Sequence, residues 1–594
     1  MNILGINFGG GPSTAALFID NKIVSCVSEE RFSRKKNEEG YPKAAIEYCL
    51  TNSGLKPEDI DKVAVATINM EFSYFFYKKL TTFSVEDWNK EQKEYWYPIL
   101  YQDKGVKYID IFKDKLVMRQ YPYCFDDLSL DDSNFKALNG LRAKMLQKHL
   151  ELREEKIEYI EHHTGHAYYA YYGSPMRGKD ALIFTMDGFG DGLNATVSIA
   201  KNNIIKRISG SADCFLGRLY RYMTLVLGMK PIEHEYKVMG LAAYATPYIY
   251  EKAYQIFKNT MYVDGLEFKY KEKPRDLYFW FKEKLEGCRF DAIAGGLQRY
   301  TEEIICQWVQ NAIKVTGIRN VVFSGGVALN VKAMGKVAEL PEVQDIFVCP
   351  SSGDESIAIG GTYVLAKKIW QEKIINGRIE PLKDVYLGPS YSEYEIKNFI
   401  KDHKLSEKYK IIEKATPSLI ANEIACGKVI ARMAGRMEFG ARALGNRSIL
   451  ADPRDLKVVK KINDVIKCRD FWMPFAPTIL AERVQDYILN PKGIKAPFMT
   501  ITFPSTELAK KDIPAALHQG DFTTRPQILE YEINPQYYQL IKEFERLTGV
   551  GALLNTSFNL HGEPIVLSPE DAIHVFESSG LDMLLLEDTL VRRV

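Results

Sequence analysis

The stretch Tyr159-Ile160-Glu161-His162-His163-Thr164-Gly165-His166-Ala167 places three of the chain's nine histidines within five residues. A helix repeats every ~3.6 residues, so positions i and i+4 share a face. If this stretch opens a helix, His162 and His166 project side by side and His163 points elsewhere. Neutral imidazole is a common ligand for transition metals, and two imidazoles on one face make half a site. The other half has to come from a distant part of the chain, with a carboxylate as the expected donor. Surface or capped histidines are the alternative; Glu161, placed to orient a ring nitrogen, favours the metal.

The elements that must position these groups are strands ending in glycine. Asn2 to Phe18 reads strand, glycine turn, strand; without Cβ atoms Gly9, Gly10 and Gly11 let backbone amides approach a phosphate. On that segment alone an ordinary hairpin is the preferred reading, with Gly10 as the candidate contact. Ala181–Met186 reads as a buried strand delivering Asp187-Gly188-Phe189-Gly190-Asp191-Gly192 into a turn, a second phosphate or metal loop. Glu235–Ala242 opens a small-residue helix with Lys237 available to an anion. Asn320–Phe323 then runs into Ser324-Gly325-Gly326-Val327-Ala328-Leu329-Asn330 and a helix, an arrangement that aims amides and a helix N-terminus at a phosphate. A further strand, Asp345–Val348, leads to Gly353-Asp354-Glu355, and Asp354 is the carboxylate expected to join His162 and His166.

The second half carries anion chemistry of another kind. A strand over 428–433 leads into a loop with Arg436, Arg442 and Arg447 among glycines; guanidinium forks pair phosphate bidentately, so this reads as an oxyanion loop. Lys467 and Arg469 follow, and Arg525 lies in a Thr-Thr-Arg-Pro-Gln turn. Near the end, the strand 550–554 runs into Asn555-Thr556-Ser557-Phe558-Asn559, whose amides and hydroxyls suit hydrogen bonding to an acyl phosphate. Residues ~366 to 400, Lys-rich, read as the connection between the halves.

Length and charge bound these readings. At 594 residues the chain should hold more than one domain. A net charge of +1 argues against bulk electrostatic capture of nucleic acid or of a membrane surface. No basic leader and no apolar run of ~18 residues is visible, and the nine cysteines are scattered without a C-x-x-C pair, so a cytoplasmic protein with reduced thiols is expected. Cys468, between Lys467 and Arg469, reads as filler rather than as a nucleophile. The aromatic stretch over 70–150 reads as core, with a wall for a ring-bearing or cationic acceptor as the lesser alternative.

Glycine loops after strands near residues 9, 188 and 325, with Gly353-Asp354 late in the same half, resemble the duplicated actin/Hsp70-type ATPase. HHTGH with SGGVALN and GDESIAIGG is similar to the tRNA threonylcarbamoyl-transferase branch of that fold. The whole chain, through SEERFSRKK with Tyr41-Pro42, EYKVMGLAAY, GRMEFGARALGNRSILADPR, IKCRDFWMPFAP and NTSFNLHGEPIV, resembles the O-carbamoyltransferases of the NodU/CmcH type.

The resemblance implies an α/β protein: a duplicated actin/Hsp70-like domain over 1–375, then a YrdC-like domain over 385–594 that forms carbamoyl-adenylate from carbamoyl phosphate and ATP. A hydroxyl of a small-molecule natural product would accept the carbamoyl group. By the same resemblance His162, His166 and Asp354 would carry a divalent metal, iron (Fe2+) foremost, with Mg2+ accompanying the nucleotide. Asp187, Lys237, Gly325, Gly326 and Asn330 would surround the nucleotide or the acceptor. Arg442, Lys467, Arg469, Arg525 and Ser557 would hold carbamoyl phosphate and the adenylate. Asp187, Lys237, Arg442 and Arg525 are the expected catalytic groups, and a homodimer is the working expectation.

The chain departs from the family pattern where His-Asp is replaced by Gly11-Pro12, where a loop proline is Ala441, and where an arginine is Met473. A tRNA threonylcarbamoyl-transferase is the rival within the fold, weakened by the lack of a basic stripe. A sugar-kinase-like or chaperone-like ATPase is the other, and it leaves the arginine-rich second half without a purpose.

Overall fold

The structure is a computed structural model and describes residues 1–70, 72–117, 135–467 and 469–593. Cys124, Cys468 and part of the aromatic stretch lie outside the described residues. The chain divides into two compact units, Met1–Leu382 and Lys383–Val594.

The first unit holds two five-stranded sheets with the same wiring. In the first sheet β1 (Asn2–Asn7), β2 (Thr14–Ile19) and β3 (Lys22–Ser28) form an antiparallel meander. The next strands, β4 (Lys62–Ala66) and β5 (Ile157–Ile160), add in parallel on the other side of β1, giving the order β3-β2-β1-β4-β5. In the second sheet β6 (Ala181–Gly190), β7 (Leu193–Lys201) and β8 (Ile204–Ser211) repeat the meander. A small hairpin of β9 (Met261–Asp264) and β10 (Glu267–Tyr270) intervenes. Then β11 (Asn320–Ser324) and β12 (Asp345–Val348) add in parallel to β6, giving β8-β7-β6-β11-β12. Two tandem copies of one topology are the duplicated actin/Hsp70-like α/β fold. Central strands such as β1 and β4 are apolar on both faces because helices cover both sides of the sheet.

Helix packing sets the distance between the two sheets' functional ends. The histidine helix His162–Tyr172 lies against Ile357–Glu372, the helix that follows Asp354. Gly165 and Gly360 meet at the crossing; a β-carbon on Gly360 would lie 2.0 Å from the Gly165 carbonyl oxygen. Only glycine allows two backbones to approach so closely.

Much of the described part of the aromatic insert between β4 and β5 is core. Phe75, Tyr77, Trp88, Tyr108 and Phe112 are buried with Leu141, Met145 and Leu146 of the helix Phe135–Leu150. Its ring faces take the chain's own cations: Lys79 Nζ sits 4.2 Å from the Trp88 ring centroid while paired to Glu91 at 2.6 Å.

The second unit is built on one eight-stranded mixed sheet. Its strands are β13 (Tyr409–Ile412), β14 (Ile430–Met433), β15 (Arg447–Ala451), β16 (Ala476–Leu480), β19 (Gln527–Leu529), β20 (Ala552–Ser557), β21 (Met583–Leu586) and β22 (Thr589–Arg593). They run in the order β13-β22-β21-β14-β15-β20-β16-β19, and β17 (Phe503–Pro504) with β18 (Thr523–Thr524) form a short ribbon beside them. Among the described residues no helix is long and apolar enough to cross a membrane.

Candidate metal centre and arginine cluster

His162 is the first residue of its helix, and Glu161 is the cap: its carboxylate accepts the amides of His163 and Thr164 at 3.2 and 2.7 Å. Glu161 also pairs with Arg207, so it does not orient a ring nitrogen as the sequence led us to expect. Hydroxyls do that. Thr67 Oγ1 stands 3.3 Å from His162 Nδ1, and Ser324 Oγ stands 2.9 Å from His166 Nδ1. His163 points away, with Nδ1 2.8 Å from Thr185 Oγ1.

With each Nδ1 engaged, both rings turn Nε2 toward Asp187 and Asp354. His162 Nε2 lies 3.9 Å from Asp187 Oδ2 and 3.7 Å from Asp354 Oδ1. For His166 Nε2 the distances are 3.6 and 3.5 Å. One ligand atom from each of the four residues lies within 4.8 Å of every other. Both Nε2 atoms and Asp354 Oδ1 are buried without a hydrogen-bond partner among the described residues. Leaving buried polar atoms unsatisfied costs about 1–3 kcal/mol each, and two imidazoles with two carboxylates are a donor set that a divalent cation satisfies at once. The residues present therefore fit a metal.

The electrostatics agree with that chemistry. Burial holds His162 down at about 4, the neutral form a metal requires. Burial also works against the His166 imidazolium, but pairing with Asp187 and Asp354 outweighs it and raises the group to about 9. Burial and the neighbouring Asp187 raise Asp354 to about 6. Asp187 is pushed up by burial and brought well below the carboxylate range by His166 and His162. Carboxylates that stabilise a proton on buried imidazole will stabilise a cation in its place.

The glycine loops support this cluster. The Gly326 amide donates to Asp187 Oδ2 at 2.7 Å, and the Gly325 amide donates to Ser352 O at 2.8 Å. The Gly326 amide thus braces the carboxylate and the Gly325 amide ties the loop to Ser352, so neither faces an open anion. Gly11 packs its backbone against Asp354, while Gly10 is exposed with open space around it. Asn330 caps the helix Val331–Glu339 and exchanges hydrogen bonds with Gln298 at 2.9 and 3.0 Å. Lys237 is buried on the helix Glu235–Ala242. The sequence placed Asp187 in a phosphate or metal loop without joining it to the histidines; the structure brings it to the same point as His162, His166 and Asp354. It missed Thr67 and Ser324, whose only signal was that each follows the end of a strand or closes one.

In the second unit the three loop arginines divide. Arg447 is fully buried and donates to the carbonyls of Ala434, Gly435, Asn446 and Pro389. Arg436 donates to Leu387 O and Gly388 O. Glu438, also buried, gathers the amides of Leu444, Asn446 and Arg447 on one oxygen. Arg447 and Arg436 are struts, contrary to the reading of all three as anion ligands, and the loop they brace carries Arg442. Asn555 ties the same loop down, donating to Ala443 O and Thr478 Oγ1 at 3.1 Å each. Lys467 directs its ammonium at Asn559 Oδ1, 2.8 Å away, and at Ser557 Oγ, 3.3 Å away, holding the turn after β20.

Arg525 is brought together with Arg442 and Arg469. Burial and the charges of those two guanidiniums push Arg525 well below the usual guanidinium range. Among the described residues no carboxylate forms an ion pair with Arg525. The charges of Arg442 and Arg469 add to what burial costs the Arg525 guanidinium, and an anion beside Arg525 would offset both.

The comparisons with known proteins follow the same division. The carbamoyltransferase N-terminus family matches residues 2–363, and the carbamoyltransferase C-terminus family matches residues 421–593. An uncharacterized protein of Methanocaldococcus jannaschii is 31% identical over the full length of both chains. The nodulation protein NolNO of Sinorhizobium fredii is 29% identical over 98% of this chain and 78% of its own. The nodulation protein NolO of Bradyrhizobium diazoefficiens is 33% identical over 73% of this chain and 79% of its own. With a metal-fitting cluster in one half, an arginine cluster in the other and both family halves in order, the chain belongs to the carbamoyltransferase family.

Proposed function

We propose that this carbamoyltransferase makes carbamoyl-adenylate in its second unit, YrdC-like by the family resemblance. The carbamoyl group then passes to the hydroxyl of a small-molecule acceptor at the first unit. The observation that carries the reading is Arg525, which feels the charges of Arg442 and Arg469 and forms an ion pair with no carboxylate among the described residues.

The reaction balances as follows. Water and carbamoyl phosphate give carbamate and phosphate; carbamate attacks the α-phosphorus of ATP and pyrophosphate leaves. The acceptor oxygen then bonds to the carbamoyl carbon, the bond to AMP breaks, and the hydroxyl proton is lost to solvent or base. Arg442 and Arg525 pair the phosphate oxygens, and Arg469 adds its charge to theirs. Ser557, set by Lys467 and Asn559, offers a hydroxyl beside the acyl group. In the first unit His162, His166, Asp187 and Asp354 would hold a divalent cation, iron by the family resemblance, which when bound supplies a Lewis acid for phosphate charge. AMP is a good leaving group, so the alcohol needs chiefly positioning, which can lower the barrier by ~7–11 kcal/mol.

Incubation with carbamoyl phosphate and ATP tests the adenylate step. Pyrophosphate that requires both reactants supports it; its absence with and without an acceptor contradicts it. Rapid ATP hydrolysis without carbamoyl phosphate would favour a plain ATPase. Mass spectrometry of candidate alcohols, seeking a carbamoyl mass gain, identifies the acceptor.

A further inference from the structure

The insert between β4 and β5 reaches the metal-fitting cluster through one buried side chain. Arg142, on the helix Phe135–Leu150, is wholly buried. Its guanidinium donates to Ala66 O at 2.5 Å, to Thr67 O at 2.8 Å and to Asn139 Oδ1 at 3.2 Å. The Phe8 and Tyr159 rings lie 5.1 and 5.2 Å from it. Among the described residues no carboxylate forms an ion pair with it. A buried guanidinium without a counter-ion is costly, so the carbonyls it holds matter to the protein.

Those carbonyls end β4, at the residue that faces His162. Thr67 has φ +67°, the left-handed region, which a β-branched residue rarely adopts. Its amide donates to Ile160 O at 2.9 Å, and its hydroxyl meets His162 Nδ1. The following amides are pinned as well: Asp191 accepts from Ile68 at 3.0 Å, from Asn69 at 2.6 Å and from His162 itself at 2.8 Å. Asn139 closes the frame by donating to Ile68 O at 2.7 Å.

We propose that Arg142 is a positioning residue for the metal centre: it clamps Thr67 in its strained conformation so that the Thr67 hydroxyl fixes the rotation of His162 and directs Nε2 at Asp187 and Asp354. The insert, none of whose described residues joins the cluster, thereby governs the cluster's affinity. This rests on the metal reading above. Outer partners of ligating histidines typically alter metal affinity 10–100-fold.

The test uses the full chain and Co2+ as the probe, with the dissociation constant read by chelator competition and the ligand field read from the visible spectrum. Thr67→Val removes the hydroxyl and keeps the branched shape; Thr67→Ser keeps the hydroxyl. The expected result is a roughly 10-fold or greater rise in Kd with a shifted spectrum for Thr67→Val, and near wild-type values for Thr67→Ser. Arg142→Lys, which cannot fork to two carbonyls, should follow Thr67→Val. A wild-type Kd and spectrum in Thr67→Val, or equal loss in Thr67→Ser, overturns the proposal, whether or not the Arg142 variant folds. Failure of the wild-type protein to bind Co2+ overturns the metal reading and this inference with it.

Discussion

Gly360 passes so close to Gly165 that a β-carbon added to it would lie 2.0 Å from the Gly165 carbonyl oxygen. That contact sets the separation between the helix bearing both histidines and the helix that follows Asp354. Gly360→Ala must push the two apart. We expect a loss of about 1–3 kcal/mol of stability by overpacking, together with weakened metal binding. Denaturant melts and metal analysis check this; wild-type values in both would mean that the crossing does not set the cluster.

His162→Ala or His166→Ala removes one of four converging donors. Each variant should lose most bound divalent metal after purification, measured by elemental analysis. In the wild-type protein, chelation should lower Tm, because a ligand that binds only the folded chain stabilises it by mass action. Full metal stoichiometry in both histidine variants contradicts the ligand assignment.

Arg525→Ala and Arg447→Ala should behave oppositely. Removing Arg525 relieves repulsion from Arg442 and Arg469, so Tm should hold or rise while carbamoyl phosphate-dependent pyrophosphate release falls at least about 100-fold. Removing Arg447 strands the carbonyls of Ala434, Gly435, Asn446 and Pro389, and should cost about 3 kcal/mol or more. Equal stability losses would erase the distinction between ligand and strut.

Glu29 gives a pH signature. It accepts the amides of Ala44 and Ala45, at 3.2 and 2.8 Å, at the start of the helix Lys43–Asn52. Burial nevertheless raises it to about 7 from 4.5. A folded-state value above the unfolded one means that the native protein binds more protons, so its contribution to stability is complete below pH 4.5 and is lost as pH rises to about 7. Relative to Glu29→Gln, the wild-type protein should lose about 3 kcal/mol across that window. Parallel stability profiles for the two proteins would contradict the shift.

Local patterns carried much of this in the sequence. The i, i+4 spacing of His162 and His166 announced a shared face, and strands ending in glycine announced both sheets. Asp354 was legible as the carboxylate after a strand. What was not legible depends on contacts between distant segments. Nothing in the run of Arg436, Arg442 and Arg447 distinguishes the two that turn inward to carbonyls from the one beside Arg525. The hydroxyls of Thr67 and Ser324 reach the histidines across 95 and 158 residues of sequence. Arg142 sits in an insert whose aromatic composition reads chiefly as core and singles out no arginine.

Isotope exchange between pyrophosphate and ATP, with and without carbamoyl phosphate, tests the central claim most directly. The account predicts exchange that requires carbamoyl phosphate, is abolished by Arg442→Ala or Arg525→Ala, and persists in His162→Ala and His166→Ala. Exchange that is absent in the wild-type protein, independent of carbamoyl phosphate, or lost equally in the histidine variants would contradict it.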